Sequence, residues 1–237
     1  MKNNRTETPP AAVETECTEQ ALLFQDLGSR KVLADFSGGF LSSDGGALLL
    51  RQVDLSLQLS NRVAACFSDF RSQRFVEHTV PELVAQRIFA LAMGYEDLND
   101  HNQLRLDPVI AAAVGKTDPL GLERVHFQDR GKALAGASTL NRMELSAQKS
   151  EGYHKLPCDP EMMEDLVFQL GTETLGRDAK QIILDIDATD DPLHGSQEGA
   201  FYHGYYHNYC YLPLYICVGD VPLWAQLRTS DHDACEG

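Results

Sequence analysis

Q-I-I-L-D-I-D-A-T-D-D, Gln181 to Asp191, is the stretch from which the fold of this chain is best read. Ile182, Ile183, Leu184 and Ile186 have the β-branched bias and length of a core strand rather than a helix, punctuated by Lys180 at one end and Asp190-Asp191-Pro192 at the other. Strand alternation puts Asp185 and Asp187 on one face and Leu184 and Ile186 on the other. The stretch therefore reads as a buried strand that delivers carboxylates to one place. Two acids in so apolar a strand need a partner, and a divalent cation is one, because Mg²⁺ takes hard oxygen ligands. An edge strand with solvated acids and an Asx turn at Asp190 explains the same spacing, since a single D-x-D has little specificity.

Beyond this strand, His194 to Asn208 is rich in Gly, His and Tyr and reads as an irregular connection. His203 and His207 have i, i+4 spacing, but Gly204 and the absence of H-E-x-x-H speak against a zinc-binding helix. Tyr202, Tyr205, Tyr206, Tyr209, Tyr211 and Tyr215 either stack on bases or pack a core edge with their hydroxyls hydrogen-bonded. Tyr209 to Val218 and Leu223 to Arg228 read as two strands around Gly219-Asp220-Val221-Pro222, a connection suited to a hairpin.

Upstream, Asp159-Pro160 starts a helix carrying Met162, Met163, Leu166, Val167 and Leu170 and ended by Gly171, so a domain boundary is expected between Gly171 and Lys180. Thr79-Val80-Pro81-Glu82 has capping-box spacing, and Leu83, Val84, Ile88 and Leu91 follow at helical period until Gly94. Leu98 to Val114 adds helix, interrupted near Asp107-Pro108. Ser43 or Asp44 can cap a helix through Leu57; Gly45-Gly46 in its first turn fits a plain helix start better than a phosphate site. Residues 21–40 suit a strand or two, and 1–20 a flexible polar tail.

Arg62, Arg71, Arg74 and His78 alternate with Phe67, Phe70 and Phe75. The three arginines are the best internal candidates for contact with a DNA backbone, although arginines solvating a helix whose phenylalanines enter the core would read the same way. Ser138 to Arg142 is a second such segment, equally explained by a helix start and packing.

The chain of 237 residues is 43% hydrophobic, enough for a sizeable core. Its formal charge is -15, which repels a polyanion at long range and counts against a generic nucleic-acid coat, while local basic patches can still make such contact. Six dispersed cysteines without a C-x-x-C pair read as reduced thiols in a cytoplasmic protein, and no apolar run approaches the ~18 residues of a membrane span.

Leu184 to Ile216 closely resembles the DDE transposases of the IS1380 insertion-sequence family. Phe36 to Leu50, Asp69 to His78 and Leu134 to Glu144 resemble that family's N-terminal part, and the likeness runs from about Leu22 to the last residue. The resemblance implies an α+β or α/β chain: a mainly helical N-terminal region over 21–175, then the opening strands of an incomplete ribonuclease-H-like domain over 176–237. It also implies transposon-end and target DNA as partners, a possible homodimer in a synaptic complex, and Mg²⁺ or Mn²⁺ bound by three separated acids that cut and rejoin DNA by two-metal phosphoryl transfer.

The family's first acid maps onto Asp187, in the context Asp187-Ala188-Thr189, with Asp185 the weaker candidate. Its second aspartate, in an R-x-D-S-G-F-like segment, and its helical glutamate have no match here; Asp220, Asp231, Asp233 and Glu236 lie in other contexts. The expectation is an N-terminal portion of such a transposase, truncated or partial, that neither cleaves nor joins DNA by itself. The alternatives are a non-catalytic remnant that binds transposon ends or full-length transposase as an inhibitor, and an unrelated metal-dependent hydrolase using Asp185, Asp187 and His194.

Overall fold

A computed structural model describes residues 22–35, 41–145, 152–176, 181–195 and 197–232. The expected tail over 1–20, residues 36–40 of the Phe36 to Leu50 motif, Lys180, Asp233 and Glu236 lie outside the described residues. In chain order the elements are β1 (Leu22–Leu27), β2 (Arg30–Ala34), α1 (Ala47–Leu57), α2 (Leu59–Ala64), α3 (Val80–Ala92), α4 (His101–Leu104), α5 (Pro108–Val114), α6 (Ala137–Glu144), α7 (Pro160–Leu175), β3 (Asp185–Ala188), β4 (Asp191–Pro192), β5 (Phe201–His203), β6 (Asn208–Tyr211), β7 (Leu214–Val218) and β8 (Val221–Gln226). Helices thus precede most strands, and the chain is mixed helix and sheet.

Local chemistry sets the starts of three helices. Thr79 N–H donates to Glu82 Oε2 at 2.8 Å while Glu82 N–H reaches Thr79 Oγ1 at 3.4 Å, the reciprocal capping box that opens α3. Two Asp-Pro pairs use one device. Asp107 Oδ1 accepts from Val109 N–H at 2.7 Å ahead of α5, and Asp159 Oδ1 accepts from Glu161 N–H at 3.0 Å ahead of α7, with proline at the first helical position each time.

The chain divides into two compact units, residues 1–57 with 89–136, and residues 58–88 with 137–237. The expected boundary between Gly171 and Lys180 falls inside the second. In the first unit β1 and β2 form an antiparallel hairpin, and α1 packs on α5 with Arg51 Nη1 donating to the Ala113 carbonyl at 3.0 Å. Asp44 accepts the Ala47 N–H on its carbonyl, so α1 starts without the side-chain cap expected of it; the Asp44 carboxylate instead accepts the Tyr95 hydroxyl at 3.0 Å. Leu48, Leu104, Ile110 and Leu134 fill this unit's core.

The second unit holds two three-stranded antiparallel sheets, ordered β3-β7-β8 and β4-β6-β5. Their sequence neighbours separate at Leu212-Pro213: the expected continuous strand Tyr209 to Val218 breaks where proline has no N–H for a ladder, β6 joining one sheet and β7 the other. Part of the expected irregular connection is strand β5, which pairs with β6. The β7-β8 hairpin closes over Gly219-Asp220 alone, with Gly219 at φ 57, so Val221 and Pro222 belong to β8.

α7 runs through Gly171 instead of stopping there, and the reason lies in packing. A Cβ on Gly171 would sit 2.5 Å from the Pro222 carbonyl oxygen and 2.7 Å from Leu223 Cδ2, so glycine is what lets α7 lie against β8. Leu223 is the extra residue where the β7-β8 register shifts, and it is buried.

Candidate active site and nucleic-acid interface

The expected buried strand is an exposed edge. Only Asp185–Ala188 has strand geometry, and β3 pairs with β7 on one side alone among the described strands. Ile183 is 72% and Ile186 62% exposed, so the apolar run lacks the cover that its composition suggests. The alternative of an edge strand with solvated acids is the arrangement found. Burial needs a second layer, and α7 packs against β8, at the far side of the sheet from β3.

Register assigns the faces. Ile186, Ile216 and Trp224 lie opposite one another across β3, β7 and β8, and the Trp224 indole donates to Glu164 of α7 at 3.4 Å. Asp187, Tyr215 and Ala225 form the next row, on the opposite face, away from α7. Asp185 shares that face two residues further from the strand's end, opposite Cys217. Both carboxylates are exposed.

An open cleft of about 420 Å³ is lined by Thr189, Asp190, Asp191, Pro213, Tyr215, Ala225, Gln226 and Leu227, of which Tyr215 is the cross-strand neighbour of Asp187. Asp190 is oriented by Asn208, whose Nδ2 donates to Asp190 Oδ2 at 3.2 Å. Tyr206 donates its hydroxyl to the Ala188 carbonyl of β3 at 3.5 Å. Loss of solvent, then the charges of Asp190, Tyr205 and Asp187, push its phenol above the ordinary value and keep it a donor. Among the described residues, no group of three or more His, Cys, Asp or Glu side chains is arranged to hold a metal ion. Asp185, Asp187 and His194 therefore do not gather as a hydrolase trio, and His203 and His207 make no zinc site; His203 stacks on Tyr206 with ring centroids 5.0 Å apart. Asp187 and Asp185 offer carboxylate oxygens on the open face, and Asp190 and Asp191 line the cleft, but no reaction step follows from that arrangement by itself. The tyrosines divide: Tyr211 donates to the Glu198 carbonyl, while Tyr205 stays 81% exposed.

The three arginine candidates have different surroundings. Arg62 of α2 is bound by both terminal nitrogens to Glu173 of α7, at 2.7 and 2.9 Å, an inter-helix tie. Arg71 is fixed by Asp69, through Nε and Nη2 at 2.8 Å each, and donates from Nη1 to the His78 carbonyl at 2.9 Å. That guanidinium holds the Asp69 carboxyl below the usual carboxylate range. Arg74 is exposed, its guanidinium 5.8 Å from the Phe75 ring centre. Phe70 and Phe75 also face solvent, so this segment is not a helix with its phenylalanines in the core.

Sequence spacing concealed what lies beside Arg71. Ser68 N–H donates to the Pro157 carbonyl and Phe70 N–H to the Lys155 carbonyl, each at 3.0 Å, with an antiparallel bridge at Phe67 and Cys158. Tyr153 and Lys155, about eighty residues downstream in sequence, thereby join Arg71 and Phe75. Only the positive charge and aromaticity of those residues hinted at a role, and neither sets a contact partner.

The family profile for the transposase DDE domain, group 1, matches residues 24–237. No curated protein and no solved structure matches the chain. Domains of this family generally use divalent metal ions, and their substrate is DNA. No helix among the described residues is long and apolar enough to cross a membrane.

Proposed function

We infer, for a chain that belongs to the family of transposase DDE domains, that it serves the transposition of an IS1380-like insertion sequence and contributes Asp187 as the first acid of the DNA-cutting centre. The observation that carries this reading is the placement of Asp187: last acid of β3, on the face turned from α7, and cross-strand neighbour of Tyr215, which lines an open cleft. A phosphodiester can approach such a carboxylate, whereas the Ile186–Ile216–Trp224 row is directed to the helix side. The three-strand order β3-β7-β8 is compatible with the opening of a ribonuclease-H-like sheet. Asp187 would hold Mg²⁺ or Mn²⁺ with other acids that the described residues do not assemble. Arg71 and Arg74 would contact the DNA backbone; Arg62 stays with Glu173.

The test is a nicking and strand-transfer assay with labelled transposon-end duplex and Mn²⁺, beside Mn²⁺ binding followed by electron paramagnetic resonance. Weak ion binding lost in Asp187→Ala but kept in Asp185→Ala, with no cleavage by the chain alone, is the expected result. Efficient nicking that survives Asp187→Ala would remove the assignment. A non-catalytic role, binding transposon ends or full-length transposase as an inhibitor, is supported by the open, apolar edge of β3. DNA binding or heteromer formation without cleavage in any partner mixture would favour it.

A further inference from the structure

On the second unit, well away in sequence from Asp187, a cavity of about 460 Å³ lies among Arg71, Phe75, Glu77, Arg142, Tyr153 and Lys155. Its walls are unusual for a protein of net charge -15. Three of these six side chains are cationic, one is a carboxylate, and the two rings are left in solvent, Phe75 at 77% and Tyr153 at 82% exposure. Single exposed apolar residues are ordinary, but two rings sharing one cavity with three cations form a defined surface.

The parts are held in place. Arg71 is clamped by Asp69 and the His78 carbonyl, which leaves N–H groups on its terminal nitrogens directed elsewhere. Asp69 offsets its charge, so Arg71 supplies mainly hydrogen-bond donors, and Arg142 and Lys155 add two further cationic groups to the lining. Arg142 lies over the Tyr153 ring, 5.7 Å from its centre. The Lys155 backbone is tied to Phe70, fixing the strand that carries Tyr153. The volume falls within the ~300–1,000 Å³ of small-ligand pockets, enough for one nucleotide and too little for a duplex.

We propose that this cavity receives a single unpaired nucleotide of DNA, with its base stacked on Tyr153 or Phe75 and its phosphate at Lys155 and Arg142. Every base has a π face for the rings, and the Glu77 carboxylate can accept from an exocyclic amino group. The proposal rests on the reading that the chain engages DNA and adds that it discriminates unpaired from paired nucleotides.

Fluorescence anisotropy on the full chain tests it, with one labelled sequence presented as a perfect duplex, as a duplex with one extrahelical nucleotide, and as a single strand. The extrahelical and single-stranded forms should bind roughly tenfold more tightly than the duplex. Tyr153→Ala or Phe75→Ala should remove about that factor while leaving the melting temperature unchanged, because both rings are exposed. Equal binding of all three DNAs, or a preference untouched by both substitutions, would overturn the proposal and leave the wider DNA reading standing. Failure to bind any of the three would overturn both.

Discussion

Cys158 shows how a single residue's chemistry follows from its surroundings. Its thiol is pushed up to about 11, first by burial and then by the neighbouring Cys66 and Asp159. Burial raises Cys66 as well. The reactive species is the thiolate, so Cys158 is expected to alkylate at pH 8 roughly a hundredfold more slowly in the folded chain than in urea. Mass spectrometry of iodoacetamide-labelled peptides would measure this, and equal rates would show an open site. Because the folded value lies above the unfolded one, the contribution to stability is whole below ~8.5 and is lost as pH rises toward about 11. Sequence gave the dispersed thiols but not this environment, which depends on residues 66–70 running beside 155–159. Asp187 is similar. Its position at the end of β3 was readable, whereas its open face required the register with Tyr215.

At the scale of elements, helix starts were the most legible features, because capping is settled within four residues of chain. Thr79 with Glu82, Asp107-Pro108 and Asp159-Pro160 each act where their sequence places them. The end of α7 was not legible, since Gly171 reads as a stop and serves as a contact point. That distinction gives a prediction with a sign. Gly→Ala inside a helix ordinarily stabilises by up to ~1 kcal/mol. At Gly171 the added methyl meets the Pro222 carbonyl oxygen at 2.5 Å, and this atom is backbone. Gly171→Ala should therefore destabilise the chain by about 1–3 kcal/mol in urea titration. A rise in stability would show that α7 and β8 are further apart than the structure places them.

For the whole molecule, the two units and the open sheet edge matter most. Hydrophobic residues leading into β3 were expected to be inside, but Ile183 is 72% exposed. Ile183→Lys should shift folding free energy by no more than ~0.5 kcal/mol and reduce self-association in sedimentation velocity, because charge on an edge blocks strand pairing. A loss of several kcal/mol would place Ile183 in a core. The acidic net charge belongs to this scale too. It leaves only local basic patches for contact with a polyanion, and cannot by itself locate them.

Composition, period and local hydrogen-bonding chemistry determined the helix-then-strand order, the caps, the hairpin and the acid at the end of β3. Those features depend on residues a few positions apart, so neighbouring letters suffice. Tertiary structure alone decided that β3 is an edge, that Pro213 sends β6 and β7 into different sheets, that Gly171 seats α7 on β8, and that Tyr153 and Lys155 meet Arg71. Each of these depends on which distant backbone arrives beside a residue, and the energy that selects such a pairing comes from surfaces buried jointly, which neither segment encodes alone.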